Sequence, residues 1–179
     1  MENIMEIIKN RKSIRKYKDK PLPDDVVKAI LEAARYAPTA RNLQELEYRV
    51  ITNKALMSRL SEGIIAAIQK EGWPLKGPPG SKPDFFYSAP LLVLVTAPKE
   101  NTWAPTDAAL AVQNIMLYAT SIGLGSCFIG MARFIEKDGE SLKALHIADN
   151  MSIVAAVICG YPDEDPPPRE KRQKAEFFA

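Results

Sequence analysis

The 179 residues carry 24 Lys and Arg against 22 Asp and Glu, a formal charge of +2 that is too weak a field to argue for nucleic acid or an anionic membrane as partner. At 46% hydrophobic and 26% charged the chain has an ordinary globular balance, which excludes a disordered or fibrous class, and its length suits one domain. The longest apolar runs, 89–97 and 153–159, are too short to cross a bilayer as helices, and residues 1–10 carry Glu2 and Glu6 where a secretory signal would be basic, so a cytoplasmic location is expected.

Taken in order, Ile4, Ile7 and Ile8 stand at helical spacing and predict a short helix that delivers the basic cluster 11–18. Pro21-Leu22-Pro23-Asp24 opens a second helix with one apolar face of Val26, Val27, Ile30, Leu31 and Ala34 up to Tyr36, and Pro38 ends it. Residues 48–52 suit a strand, and 55–71 return to helical spacing through Leu56, Leu60, Ile64, Ile65 and Ile68 before Gly72. Segment 73–90, with Pro74, Pro78, Pro79 and Pro83, predicts an irregular loop for which a lid is one role. The continuous apolar run 91–96 predicts a central strand, and 106–122 a core helix buried on more than one side. Gly123 and Gly125 end that helix, 126–130 reads as a short connection, 135–145 as further helix, and 150–159 as the strand that closes the sheet. The proline- and charge-rich tail 160–179 either is disordered or lies along a partner. The class is α+β, with a Rossmann domain as the competing picture.

Three clusters carry chemistry. Arg11-Lys12-Ser13-Ile14-Arg15 packs three cations and a hydroxyl into five residues, a donor set for phosphate or a carbonyl oxygen, with a solvated charged turn as the bland alternative. Asn42 and Gln44, in Ala37-Pro38-Thr39-Ala40-Arg41-Asn42-Leu43-Gln44, share one face if that loop is extended, although amides near a helix end more often satisfy backbone groups. Gly123-Leu124-Gly125-Ser126-Cys127-Phe128-Ile129-Gly130 is no dinucleotide fingerprint, because Phe128 stands at the third glycine position and the motif follows a helix; it allows close backbone approach to a flat ligand, or simply caps the helix. Cys127 and Cys159 lack the neighbours of a zinc or iron–sulfur site and are expected as buried thiols, and the lone His146 has no partner in sequence. Without an evident acid, base or nucleophile, an enzyme here delegates its chemistry to a cofactor. Trp73, Trp103, Phe85, Phe86 and Tyr87 are candidates to stack on a flat substrate, or to fill core or interface.

Arg11–Arg15, Ala37–Gln44, Gly123–Cys127 and Cys159-Gly160-Tyr161-Pro162 together, in this order, resemble the landmarks of the nitroreductase family. The match runs from near the N-terminus to the tail, with 62–105 agreeing only in layout, and it departs at Glu45-Leu46, where the family often has Pro-Trp. The resemblance implies a nitroreductase-like α+β fold spanning 1–179 with 160–179 as a C-terminal arm: a mostly antiparallel central sheet flanked by helices, in an intertwined homodimer with FMN between the subunits. By motif position Arg11 and Ser13 bind the phosphate with help from Lys12, and Arg15 approaches flavin N1 and the C2 carbonyl. Asn42 and Gln44 reach the partner subunit's flavin, and the backbone of Phe128, Ile129, Gly130 and Met131 lies at the N5–O4 edge, with Gly130 as the N–H donor. Arg169 and Lys171 resemble a second phosphate-binding pair for which Arg172 could substitute. The implied activity is ping-pong transfer from NADH or NADPH to a nitroaromatic or quinone acceptor, with no nucleic acid or membrane partner and no side-chain nucleophile. Flavin destruction or reductive dehalogenation on the same fold, a flavin sensor or storage module, and a non-flavin interaction domain remain the alternatives.

Overall fold

Leu91–Pro98 contains no charged residue and forms strand β2, buried along all but its last position. A strand that is apolar on both faces has to lie inside a sheet covered on both sides. The computed structural model, which describes residues 3–74, 83–168, 170, 172 and 174–178, shows this arrangement. With β1 at Glu47–Ile51, β3 at Gly125–Phe128 and β4 at Met151–Gly160, the sheet order is β1-β2-β4-β3 and every pairing is antiparallel. The Rossmann alternative therefore falls, and the α+β expectation holds. One sequence expectation is corrected, since 126–130 is largely strand rather than connection; β4, expected as the strand that closes the sheet, lies within it between β2 and β3.

Alternation along the strands divides the core in two. Leu92, Leu94, Ala156 and Ile158 face α3 (Lys54–Lys70) and the 3₁₀ helix Gly130–Lys137. Leu91, Val93, Val157 and Cys159 face α2 (Asp24–Arg35) and α4 (Ala104–Ser121). The helix expected over 135–145 is in fact that 3₁₀ helix followed by α5 (Gly139–Ala144); Asp138 separates them and accepts from Glu140 N and from Ser141 Oγ. Over so few residues apolar spacing does not distinguish a 3₁₀ helix, with 3.0 residues per turn, from an α-helix.

α4 lays Ala104, Ala108, Ala111 and Ala119 against the sheet, small side chains that permit close approach. It packs against the sheet on one side and against α2 and α1 (Ile4–Asn10) on others, as expected of a core helix, while Leu110 on its outer face is exposed. α1 buries no residue and leaves Ile4, Met5 and Ile8 exposed. No helix among the described residues is long and apolar enough to cross a membrane.

Two glycines fix backbone close to the site. Gly123 takes φ +77 where α4 ends, a left-handed cap that other residues adopt at a cost. Gly160 lies so close to Pro90 that a Cβ would stand 2.4 Å from Pro90 Cδ and 2.9 Å from the Tyr17 ring. Gly160→Ala should therefore destabilise the fold by about 1–3 kcal/mol through overpacking, read as a lowered urea midpoint.

Cys127 and Cys159 are both buried free thiols, as expected. Burial pushes the Cys159 thiol from its ordinary 9.0 up to about 12. Between these values the unfolded chain releases a proton that the folded chain keeps, so stability falls as pH rises through that window, by up to about 1.4 kcal/mol per pH unit for this group. Replacing Cys159 with Ala should flatten that part of the stability profile above about pH 9, measured by chemical denaturation.

Candidate functional site

The basic segment after α1 is held by the strands and not by its own periodicity. Ile14 N donates to Ser126 O of β3 at 2.9 Å, and Ser13 bridges Ser126 in parallel. On the other side Tyr17 bridges Pro162, Lys18 N donates to Tyr161 O and Asp163 N donates to Lys16 O. Gly125 makes the first contact possible, since a Cβ there would stand 2.7 Å from the Ile14 side chain. Tyr17 is buried with its hydroxyl donating to Ile14 O at 2.7 Å, and burial raises its phenol well above the ordinary value. Ile14 and Tyr17 therefore anchor inward while Arg11, Ser13 and Arg15 stay accessible.

The acidic run 163–165, whose role the sequence leaves open, staples this segment. Lys16 pairs with Asp163 at 3.2 Å, Arg15 N donates to Glu164 Oε1 at 2.5 Å, and Lys12 Nζ meets Asp165 at 2.6 Å. Among the described residues no carboxylate pairs with the guanidinium of Arg11 or Arg15. Both lie near Cys127, whose thiol is pushed up by burial and pulled down by Arg15, a Ser13 hydrogen bond and Arg11. Two guanidiniums without a carboxylate partner among the described residues, beside a hydroxyl, are a donor set of the kind that suits a phosphate. Lys12 is engaged by Asp165, and Arg169 and Lys171 lie outside the described residues. Arg172 pairs with Glu170 at 2.8 Å.

β3 leads from this cation pair to a cavity of about 430 Å³. Ser13 lies against Ser126, and the cavity begins at Phe128, two residues and so about 7 Å further along the strand. Its walls include Phe128, Ile129, Gly130, Asn101, Thr102 and Arg133. Ile129 N is committed to Ala156 O. Gly130 N opens the 3₁₀ helix and has no acceptor among the described residues, as first-turn donors require. A Cβ at Gly130 would meet nothing within 4 Å. Met131 is partly buried and packs against the α3-side core.

Asn42 and Gln44 come together by a different route from the one the sequence suggests. The loop is not extended: Arg41, Asn42 and Gln44 have φ of 53, 55 and 54, and Gln44 Nε2 donates to Asn42 Oδ1 at 2.8 Å. Three left-handed non-glycine residues in four hold strain that other contacts must fix. Buried Asp107 of α4 accepts from Ala40 N, and Thr39 Oγ1 accepts from Gln44 N. Thr39, Asn42 and Gln44 line a separate cavity of about 490 Å³, so within one chain these amides do not share the Gly130 cavity.

Of the aromatic candidates, Phe86 is core, Phe85 is partly buried against it, and Tyr87 and Trp103 are exposed. Trp73 is half exposed and meets Phe134 edge-on. Exposed His146 takes φ 51 and its carbonyl accepts from Arg49. No cluster of His, Cys, Asp and Glu among the described residues could hold a metal.

The sequence profile of the nitroreductase family matches residues 8–161. The chain belongs to the nitroreductase family. A solved nitroreductase with bound FMN from Bacteroides fragilis NCTC 9343 is 30% identical, and the superposition covers 100% of this chain and 98% of that one with a TM-score of 0.83. A Bacillus subtilis (strain 168) protein provisionally named NAD(P)H nitroreductase is 29% identical over 188 residues, 98% of this chain and 92% of its own length. An FMN-dependent nitroreductase from Clostridium difficile R20291 shares the fold with a TM-score of 0.84 at 22% identity. The nitroreductase match includes Arg11–Arg15 and Phe128–Met131 and ends before the acidic staple.

If Glu164 holds the Arg15 amide, Glu164→Ala should speed hydrogen exchange at that amide by about tenfold or more while the global unfolding midpoint barely moves. Unchanged exchange would show that the strand contacts alone order the segment.

Proposed function

We propose that this nitroreductase-family chain is an FMN-dependent oxidoreductase that uses NADH or NADPH to reduce an electron-poor acceptor such as a nitroaromatic or quinone. The observation that carries this reading is that Arg11 and Arg15, without a carboxylate partner among the described residues, are joined by one strand to the N–H of Gly130, without an acceptor among them. That donor set suits a flat ring with a phosphate at the end of its chain. The FMN bound to the Bacteroides fragilis relative, and the NAD(P)H in the Bacillus subtilis relative's name, support it.

FMN, when bound, supplies the ability to accept a hydride and pass electrons on. Arg11 and Ser13 hold its phosphate, with Arg169 and Lys171 of the tail as a second pair. Lys12 assists indirectly, because its pairing with Asp165 ties the basic segment to the tail. Arg15 faces the pyrimidine side, where a fixed cation stabilises negative charge that develops on reduction. Phe128, Ile129, Gly130 and Met131 shape the other edge, and Gly130 offers the N–H and the open space. Donor and acceptor use one cavity in turn, which makes the kinetics ping-pong. No side chain has to act as a nucleophile.

The working unit is a homodimer in which residues 160–179 form an arm along the partner and Asn42 and Gln44 complete the partner's site. The uncovered apolar faces of α1 and α4, and the exposed Phe177 and Phe178, support this assembly. The chain acts as one domain in the cytoplasm, with no nucleic acid or membrane partner.

Purified protein should be yellow, bleach on anaerobic addition of NADH or NADPH, and recover its colour when a nitroaromatic is added. Arg11→Ala should weaken FMN affinity about tenfold or more, one charge-assisted contact being the difference. Gly130→Ala should weaken flavin binding with little loss of thermal stability, since a Cβ there meets no protein atom within 4 Å. Full flavin content in both variants would overturn these assignments.

A further inference from the structure

Arg133 stands three residues beyond Gly130 on the 3₁₀ helix and lines the same cavity. Its guanidinium carbon lies 5.8 Å from the Trp73 ring centroid and 5.1 Å from that of Phe134. The two rings meet at 5.7 Å and 70°, so they brace one another and the guanidinium together. An arginine already held against aromatic rings gives up less side-chain freedom when an anion binds to its N–H groups.

No carboxylate among the described residues pairs with Arg133. The neighbouring acids are occupied: Glu136 accepts from Ile153 N, Glu45 from Asn101 Nδ2, and Glu71 pairs with Lys137. Lys99 lines the cavity as well, with its ammonium donating to Asp149 O. The charged residues in the cavity lining are thus both cationic, Arg133 and Lys99, while Phe128, Ile129 and Ala156 supply an apolar part of it.

Three residues of 3₁₀ helix rise about 6 Å, roughly the span of a benzene ring. A ring whose reducible group lies at Gly130 would present its opposite substituent toward Arg133. We propose that Arg133, braced by Trp73 and Phe134, is a specificity-determining residue that selects aromatic acceptors carrying a carboxylate across the ring from the group being reduced. This rests on the flavin reading above. It adds a preference among acceptors that the cofactor assignment does not contain.

The test uses holoprotein carrying Trp103→Phe, which leaves Trp73 as the reporting tryptophan. Benzoate should quench Trp73 fluorescence saturably, benzamide should not, and Arg133→Gln should weaken benzoate binding about tenfold or more. Arg133→Lys, which keeps the charge without the planar face, should restore part of it. In turnover, Arg133→Gln should raise KM for 4-nitrobenzoate by a similar factor and leave kcat, and KM for 4-nitrobenzamide, unchanged. Equal losses for acid and amide, or no change in either, would overturn the proposal. Flavin content is measured on each preparation: colourless protein refutes the flavin reading, whereas yellow protein whose benzoate binding ignores Arg133 refutes only this inference.

Discussion

Residues 13–18 are hydrogen-bonded from both sides, to β3 through Ser126 and to the start of the tail through Tyr161 and Asp163, and the accessible cations depend on this clamp. A five-residue cluster rich in Arg and Lys has no reason to adopt one shape by itself, because its charges repel and its side chains are long. Backbone bonds to β3 on one side and to the start of the tail on the other, with Ile14 and Tyr17 buried, give it one. The guanidiniums of Arg11 and Arg15 are then oriented by main-chain contacts instead of by ion pairs, which leaves them free to bind.

The carboxylates nearby sort the cations. Asp163 and Asp165 take the lysines, and Glu164 takes a backbone N–H. The unmatched charge is left on the residues with planar, bidentate donors. A similar division holds at the cavity, where Glu136 and Glu45 satisfy Ile153 N and Asn101 while Arg133 remains without a carboxylate among the described residues.

Much of the fold was legible because helices and buried strands advertise themselves locally. α2, α3 and α4 fall within two residues of the pattern-based bounds, since an apolar stripe at period 3.6 is written in the sequence itself. β3 was not legible: Gly-Ser-Cys-Phe reads as a turn, and the reason for Gly125 is Ile14, more than a hundred residues away. The 3₁₀ helix escaped although its apolar residues gather on one face, because it begins at Gly130, inside a glycine-rich passage that reads as a connection. The basic cluster was visible as a run of like residues, but its stapling by 163–165 was not, because pairing between distant charges leaves no local signal. Asn42 and Gln44 were legible as neighbouring amides, whereas their left-handed backbone depends on Asp107 and Thr39. Arg133 and Trp73 lie far apart in sequence and carry no mutual pattern; their stacking exists only in three dimensions.

The clamp also orders events in time. Ile14 needs Ser126, and Lys18 needs Tyr161, so residues made first on the ribosome wait for residues made near the end. A nascent chain can pair β1 with β2 long before that, but its basic segment stays unclamped until β4 has been made and has delivered 161–163. A chain stopped short of Tyr161 would keep every cationic residue of the N-terminal segment and still lack one of the two sides that give it a shape, so the ordering of that segment is a late event.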